Sequence, residues 1–167
     1  YVTLRQLRNE VGKDAARFFY ISQSNNQHLD FDMELAKSRS NDNPAYYIQY
    51  AHARVASLMK KLRAEGAAIE DPAIANLSLL IEDAEKALIT ALSRYPEVIQ
   101  LAAANRAPQH LAHYLRDTAA AFHVSYNSHR VLINNHSLRD ARVALALATQ
   151  QVLRNGLDLL GVSAPET

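Results

Sequence analysis

Asn43-Pro-Ala-Tyr-Tyr-Ile-Gln-Tyr-Ala-His-Ala-Arg54 is the stretch on which the reading of this chain turns. Asn43 is a good helix N-cap, and Pro44 suits the first helical turn, where its missing N–H costs nothing. The pattern runs on through Leu58 and Leu62 to Gly66, a natural left-handed stop. On such a helix Tyr47, Tyr50 and Arg54 fall at i, i+3 and i+7 and project from one face. Flat rings and a planar cation are what unpaired nucleobases stack upon. For an isolated helix the plainer reading is that the tyrosines are half-buried, with their hydroxyls at the surface. A second segment, Val152 to Glu166, shifts the balance when the two are taken together.

Outward from that helix the chain reads as a helical bundle. Upstream, Thr3 to Val11 and Asp14 to Ser22 predict two short helices separated by Gly12, with an aromatic cluster at Phe18, Phe19 and Tyr20. Leu29, Phe31, Met33 and Leu35 alternate with Asp30, Asp32 and Glu34, a period of two that predicts a strand or extended segment. A lone strand needs a partner, so it should fold back or pack against something outside the bundle. The acidic alternation starts like a calcium loop but lacks the sixth-position glycine and the twelfth-position glutamate, which excludes that chemistry. Downstream, an amphipathic helix is expected from about Ala73 through Leu77, Leu80, Ile81, Ala84 and Leu88 to Arg94. Pro96 interrupts it and a short helix follows to Ala104. Pro108 opens another, with Leu111, Leu115, Phe122 and Tyr126 in one stripe. The last helix starts near Leu138, and Gly156 and Gly161 should loosen it.

Composition agrees with a helical domain. The 167 residues hold four glycines and no tryptophan, and 49% are apolar. With no cysteine, disulfides and thiolate metal sites are excluded. No apolar run reaches the roughly 20 residues of a membrane span. The chain starts with tyrosine rather than methionine, as a piece excised from a longer protein would. Net charge is +1, but residues 69–97 carry six acidic against two basic side chains, and residues 104–154 carry six arginines against two aspartates. That layout predicts one positive and one negative face.

Most site chemistry fails on spacing. The glycines at 12, 66, 156 and 161 are isolated, so no phosphate-binding glycine loop is possible. No nucleophile-elbow pattern accompanies the serines and histidines. Glu82, Asp83 and Glu85 point to different sides of a helix and read as a solvated face. His110 and His113 are three apart, but the Glu-x-x-His partners of a bundle metal site are missing, so no metal is expected. A recognition surface survives: rings at Tyr47 and Tyr50, a donor and acceptor at Gln49, and a guanidinium fork at Arg54.

Together these segments resemble the C-terminal region of a bacterial-type arginyl-tRNA synthetase. The resemblance runs over essentially the whole chain. It rests on Val11-Gly-Lys-Asp-Ala-Ala-Arg-Phe-Phe-Tyr20, His28-Leu-Asp-Phe-Asp32, the Tyr-x-Gln-Tyr-Ala-His-x-Arg core of Asn43 to Arg54, and Thr149-Gln-Gln-Val-Leu-Arg-Asn-Gly-Leu-Asp-Leu-Leu-Gly161. It implies an all-α bundle of the class I synthetase anticodon-binding (DALR) type over residues 43–167, with residues 1–42 as the tail of the catalytic domain and linker. It further implies binding of the arginine tRNA anticodon stem and loop. Tyr47, Gln49, Tyr50 and Arg54 would be the tRNA-binding residues: the rings stack, and the amide and guanidinium supply polar or phosphate contacts. Phe122 and Tyr126 match more loosely and fit core packing equally well.

Residues after Gly161 would also lie near the RNA loop. The family usually closes in Pro-Glu-Arg-Met; here the end is Pro165-Glu166-Thr167. Both class I ATP signatures, His-Ile-Gly-His and Lys-Met-Ser-Lys, are absent, so this chain alone is expected to be non-catalytic and to hold no cofactor. In the parent arginine–tRNA ligase, ATP with magnesium is used upstream. The implied partners are arginine tRNA and the upstream catalytic domain, with no DNA or membrane, in a monomeric cytoplasmic enzyme. Two other readings stay open at this point: a helical protein-interaction module, and the anticodon domain of another synthetase, such as the glycine enzyme's beta subunit.

Overall fold

A computed structural model describes residues 2–69 and 71–167. Its helices are α1 (Leu4–Ile21), α2 (Met33–Lys37), α3 (Pro44–Ala64), α4 (Asp83–Ser93), α5 (Tyr95–Ala104), α6 (Gln109–Ser128) and α7 (His136–Leu160). Helix α6 sits at the centre, packed by α3, α4, α5 and α7. Ile48, Ala51, Val55, Leu58 and Leu62 from α3 meet Leu115, Ala119 and Phe122 from α6 and Leu153 and Leu157 from α7 in one apolar core. Helix α1 lies outside this layer, against α2, α3, α6 and α7.

The start of α3 is fastened twice. The Asn43 Oδ1 accepts from the Ala45 and Tyr46 amides, while its Nδ2 donates to the carbonyls of Ala36 (3.2 Å) and Ser38 (2.9 Å). A residue 3% exposed thus caps α3 and ties it to the end of α2. Asn43→Ala is expected to cost about 2–3 kcal/mol, a lost cap plus one buried and one part-buried carbonyl deprived of their donor. The midpoint of urea unfolding at unchanged slope measures it.

Several expectations need correcting. The period-two segment forms no strand: among the described residues, Phe31 packs on the Phe19 and Tyr20 rings at 5.4 and 5.7 Å. Asp32 then caps the five-residue α2, its side chain accepting from the Leu35 amide. The alternation arises because one apolar residue serves the α1 contact and the next ones serve a short helix. Gly12, non-helical at φ 81° and ψ 165°, does separate two helical stretches within Leu4–Ile21, as expected.

The helix expected from Ala73 starts ten residues later, at Asp83. Asn76 accepts from the Ser78 amide and hydroxyl and closes a 3-10 turn, Leu77–Leu79, instead. The reciprocal Glu82–Glu85 capping box marks the true start. Glu85 is 1% exposed, so it does not belong to a solvated face; Arg142 pairs with it at 2.7 Å. Gly156 does not loosen the last helix, which runs through it to Leu160. A Cβ there would meet Leu115 Cδ2 at 2.5 Å, so the glycine lets α7 approach α6 closely. Gly161 ends α7 in the left-handed region at φ 69°, with the Arg17 side chain where a Cβ would go.

Candidate nucleic-acid interface

Helix α3 faces α6 along one side and the chain's final residues along another, and the four sequence-selected residues divide between the two. Tyr47, Tyr50 and Arg54 share the α6 side. Tyr50 is 40% exposed; Tyr47 is half-buried and packs against the core. Tyr46, which sequence reasoning passed over, stacks on Tyr50 with ring centroids 6.0 Å apart and planes 7° from parallel. The signal for it was present, since residues at i and i+4 are neighbours on a helix.

His123 of α6 completes the arrangement from behind. Its ring lies 4.6 Å from Tyr47 and 5.3 Å from Tyr50, the latter nearly parallel at 24°. Arg54 Nη1 donates to His123 Nδ1 at 2.9 Å and Nη2 to Asn127 Oδ1 at 2.8 Å. The guanidinium carbon stands 4.2 Å over the Tyr126 ring and 5.4 Å from Tyr50. Burial lowers the His123 pKa, the nearby Arg54 charge lowers it further, and the hydrogen bond to the Tyr47 carbonyl opposes both. Sequence reasoning missed His123 and Asn127 because their partners lie some seventy residues away. Of the looser candidates, Phe122 is core at 2% exposure, whereas Tyr126 is half-buried under Arg54.

Gln49 does not join this face. Its amide nitrogen donates to Asp14 Oδ2 at 3.2 Å and to the Ser163 carbonyl at 3.0 Å, linking α1, α3 and the last residues. His52, fully buried, continues that seam. Its Nδ1–H donates to the Pro165 carbonyl at 2.8 Å, and Nε2 accepts from Arg154 Nε at 3.3 Å. Arg154 also pairs with Glu166 at 3.1 Å. The residues after Gly161 are therefore laid along α3, beside the tyrosine face, by two segments more than 90 residues apart in sequence.

Half of the arginines in the stretch 104–154 are paired with carboxylates within the fold. Of the six arginines in 104–154, Arg139 pairs with Asp140, Arg142 with Glu85 and Arg154 with Glu166. Arg106, Arg116 and Arg130 stay exposed. Neither His110 nor His113 has gathered metal-ligand neighbours among the described residues; His113 Nε2 lies 3.1 Å from the Ser22 carbonyl.

Known proteins align with this geometry. The profile of the DALR anticodon binding domain matches residues 48–167. An arginine–tRNA ligase of Coxiella burnetii (strain RSA 331 / Henzerling II) is 58% identical over 167 residues, covering 99% of this chain and 28% of that protein. The arginine–tRNA ligase of Thioalkalivibrio sulfidiphilus is 55% identical, with the same shares covered. Among solved structures, Thermus thermophilus arginyl-tRNA synthetase superposes with a TM-score of 0.78 at 33% identity, over 95% of this chain and 26% of that one. The chain thus spans under a third of the length of the curated relatives it matches. With the family model matching residues 48–167, well over half of its length, the chain belongs to the DALR anticodon-binding domain family.

Proposed function

We propose that the face around Tyr50 receives the anticodon stem and loop of arginine tRNA, as the C-terminal part of an arginine–tRNA ligase. The observation that carries this reading is the parallel Tyr46–Tyr50 pair, open to solvent at Tyr50 and braced from behind by His123 and Arg54. A single-stranded loop can splay a base onto such a ring, and stacking is sequence-tolerant because every base has a π-face. Tyr47 packs against His123, and the terminal residues held by Gln49 and His52 lie along the same helix. The family match and the identity to arginine–tRNA ligases support the arginine assignment.

In this reading the ligase reaction, with ATP and magnesium, takes place in the upstream catalytic domain of the same polypeptide. This chain contributes binding and holds no cofactor. The enzyme works as a monomer in the cytoplasm, without DNA or membrane; among the described residues no helix is long and apolar enough to cross one.

Tyr50→Ala should weaken binding of arginine tRNA by about 1–3 kcal/mol, the value of one stacked base. Fluorescence anisotropy with labelled tRNA reads it, and rising salt should weaken binding of both proteins in parallel. Undiminished affinity in the variant removes the ledge from the interface. If instead the tyrosine face captured a protein ligand, excess arginine tRNA would fail to compete for it.

A further inference from the structure

Arg54 is the polar group of the ledge, yet its guanidinium is engaged inside the protein. His123 and Asn127 accept from its two terminal nitrogens, and the Tyr126 ring lies under it. Both acceptors come from α6, one turn apart, so the guanidinium plane is set by that helix. His123 in turn is 6% exposed and meets α3 at four points: Arg54 Nη1, the Tyr47 carbonyl at 3.4 Å from Nε2, the Tyr47 ring and the Tyr50 ring. An acceptor at Nδ1 and a donor at Nε2 define a single tautomer. The ring behind Tyr50 is therefore fixed in rotation as well as in place.

Resting on the tRNA reading above, we infer that His123 is a positioning residue: by accepting from Arg54 and backing the Tyr50 ring, it holds that ring where an RNA base stacks. The arrangement requires Nδ1 to be free of a proton. Among the described residues Arg54 is the charged group facing the ring. Tyr47 and Tyr50 of α3 are the titratable groups against it, and no ionisable side chain of α1, α4, α5 or α7 hydrogen-bonds or pairs with it. A proton at Nδ1 would remove the acceptor and set two cations about 3 Å apart, so Arg54 must leave and Tyr50 loses its backing. Burial and Arg54 both hold the ring unprotonated at neutral pH. The sign follows: the folded pKa lies below the unfolded value of about 6.5, so the order His123 imposes is fully present above that pH and is lost as pH falls through the lower, folded value.

The test is arginine tRNA binding by the protein and four variants at two pH values, about 7.5 and the lowest at which circular dichroism still shows the native helix content. His123→Phe keeps the bulk but not the acceptor and should bind about tenfold more weakly at pH 7.5. His123→Asn places Oδ1 where Nδ1 stands and can accept from Arg54, but it has no ring behind Tyr50, so it should bind between His123→Phe and the unaltered protein and lose the pH dependence specific to His123. Asn127→Ala, at an exposed position that does not threaten folding, should bind about threefold more weakly by freeing Nη2. The unaltered protein should weaken on acidification relative to His123→Asn. If Tyr50→Ala binds weakly while His123→Phe and Asn127→Ala match the unaltered protein at both pH values, His123 has no positioning role and the tRNA reading stands. If Tyr50→Ala itself binds normally, both fall together. Should His123→Phe not fold, Asn127→Ala and the pH response of His123→Asn decide the matter.

Discussion

Glu85→Ala is expected to lower the unfolding free energy by about 3–5 kcal/mol. The Glu85 side chain is 1% exposed, and its two oxygens are both used. Oε1 accepts from Arg142 Nε at 2.7 Å, and Oε2 accepts from the Glu82 amide at 3.2 Å, closing the start of α4. Arg142 also donates to the Arg130 carbonyl at 2.8 Å, so one ion pair joins α4, α7 and the turn after α6. Removing the carboxylate leaves a half-buried guanidinium without its counter-charge and unfastens the first turn of α4. Desolvation makes the pair itself worth little against an apolar substitute, whereas breaking it is costly. Glu85→Leu combined with Arg142→Met should therefore recover most of the loss, leaving a deficit of about 1–2 kcal/mol from the cap and the Arg130 carbonyl. Urea unfolding of the three proteins at constant slope measures both terms.

Phe122→Ala should cost about 3–5 kcal/mol, and Phe122→Leu less than about 1.5 kcal/mol. The side chain is 2% exposed, in the centre of the core, with Tyr126 at 5.3 Å and His123 at 5.7 Å from its ring. The sequence stripe placed Phe122 and Tyr126 together as candidates for RNA or core. Their fates differ: Phe122 points inward, while Tyr126 underlies Arg54. Below its lowered melting temperature, Phe122→Leu should bind tRNA as the unaltered protein does, which separates a stability role from a binding one. Thermal unfolding and anisotropy on the same samples report the two.

What was legible in the sequence was whatever short-range chemistry dictates. Asn43-Pro44 at the start of α3, Gly66 (φ 65°) past its end, the Gly12 kink and the Pro96 and Pro108 helix starts all depend on a few adjacent residues. The α6 face followed from its spacing over a long stretch, with Leu111, Leu115 and Phe122 buried. The misreadings share a cause: patterns too short to tell one element from another. Leu29 to Leu35 alternated because a loop contact abutted a five-residue helix, and Leu77, Leu80 and Ile81 mimicked a helical stripe although Ile81 is 65% exposed. Glu85 looked solvated because its partner lies 57 residues away.

The site shows the same division. Helical spacing alone set Tyr47, Tyr50 and Arg54 on one side. That spacing also puts Gln49 elsewhere, and the structure ties its amide to Asp14 and Ser163. His123 and Asn127 had no local signature, since their importance comes from α6 crossing α3. Composition counts charges without pairing them: half of the arginines in 104–154 are held by carboxylates.

One comparison bears most directly on the central proposition. The protein is titrated with two RNA hairpins that share the arginine tRNA anticodon stem; one carries the natural loop and the other a tightly stacked tetraloop. The account predicts that the natural loop binds more tightly, and that Tyr50→Ala erases the difference while leaving the weaker, salt-sensitive stem affinity in place. Equal binding of the two hairpins by the unaltered protein would contradict it.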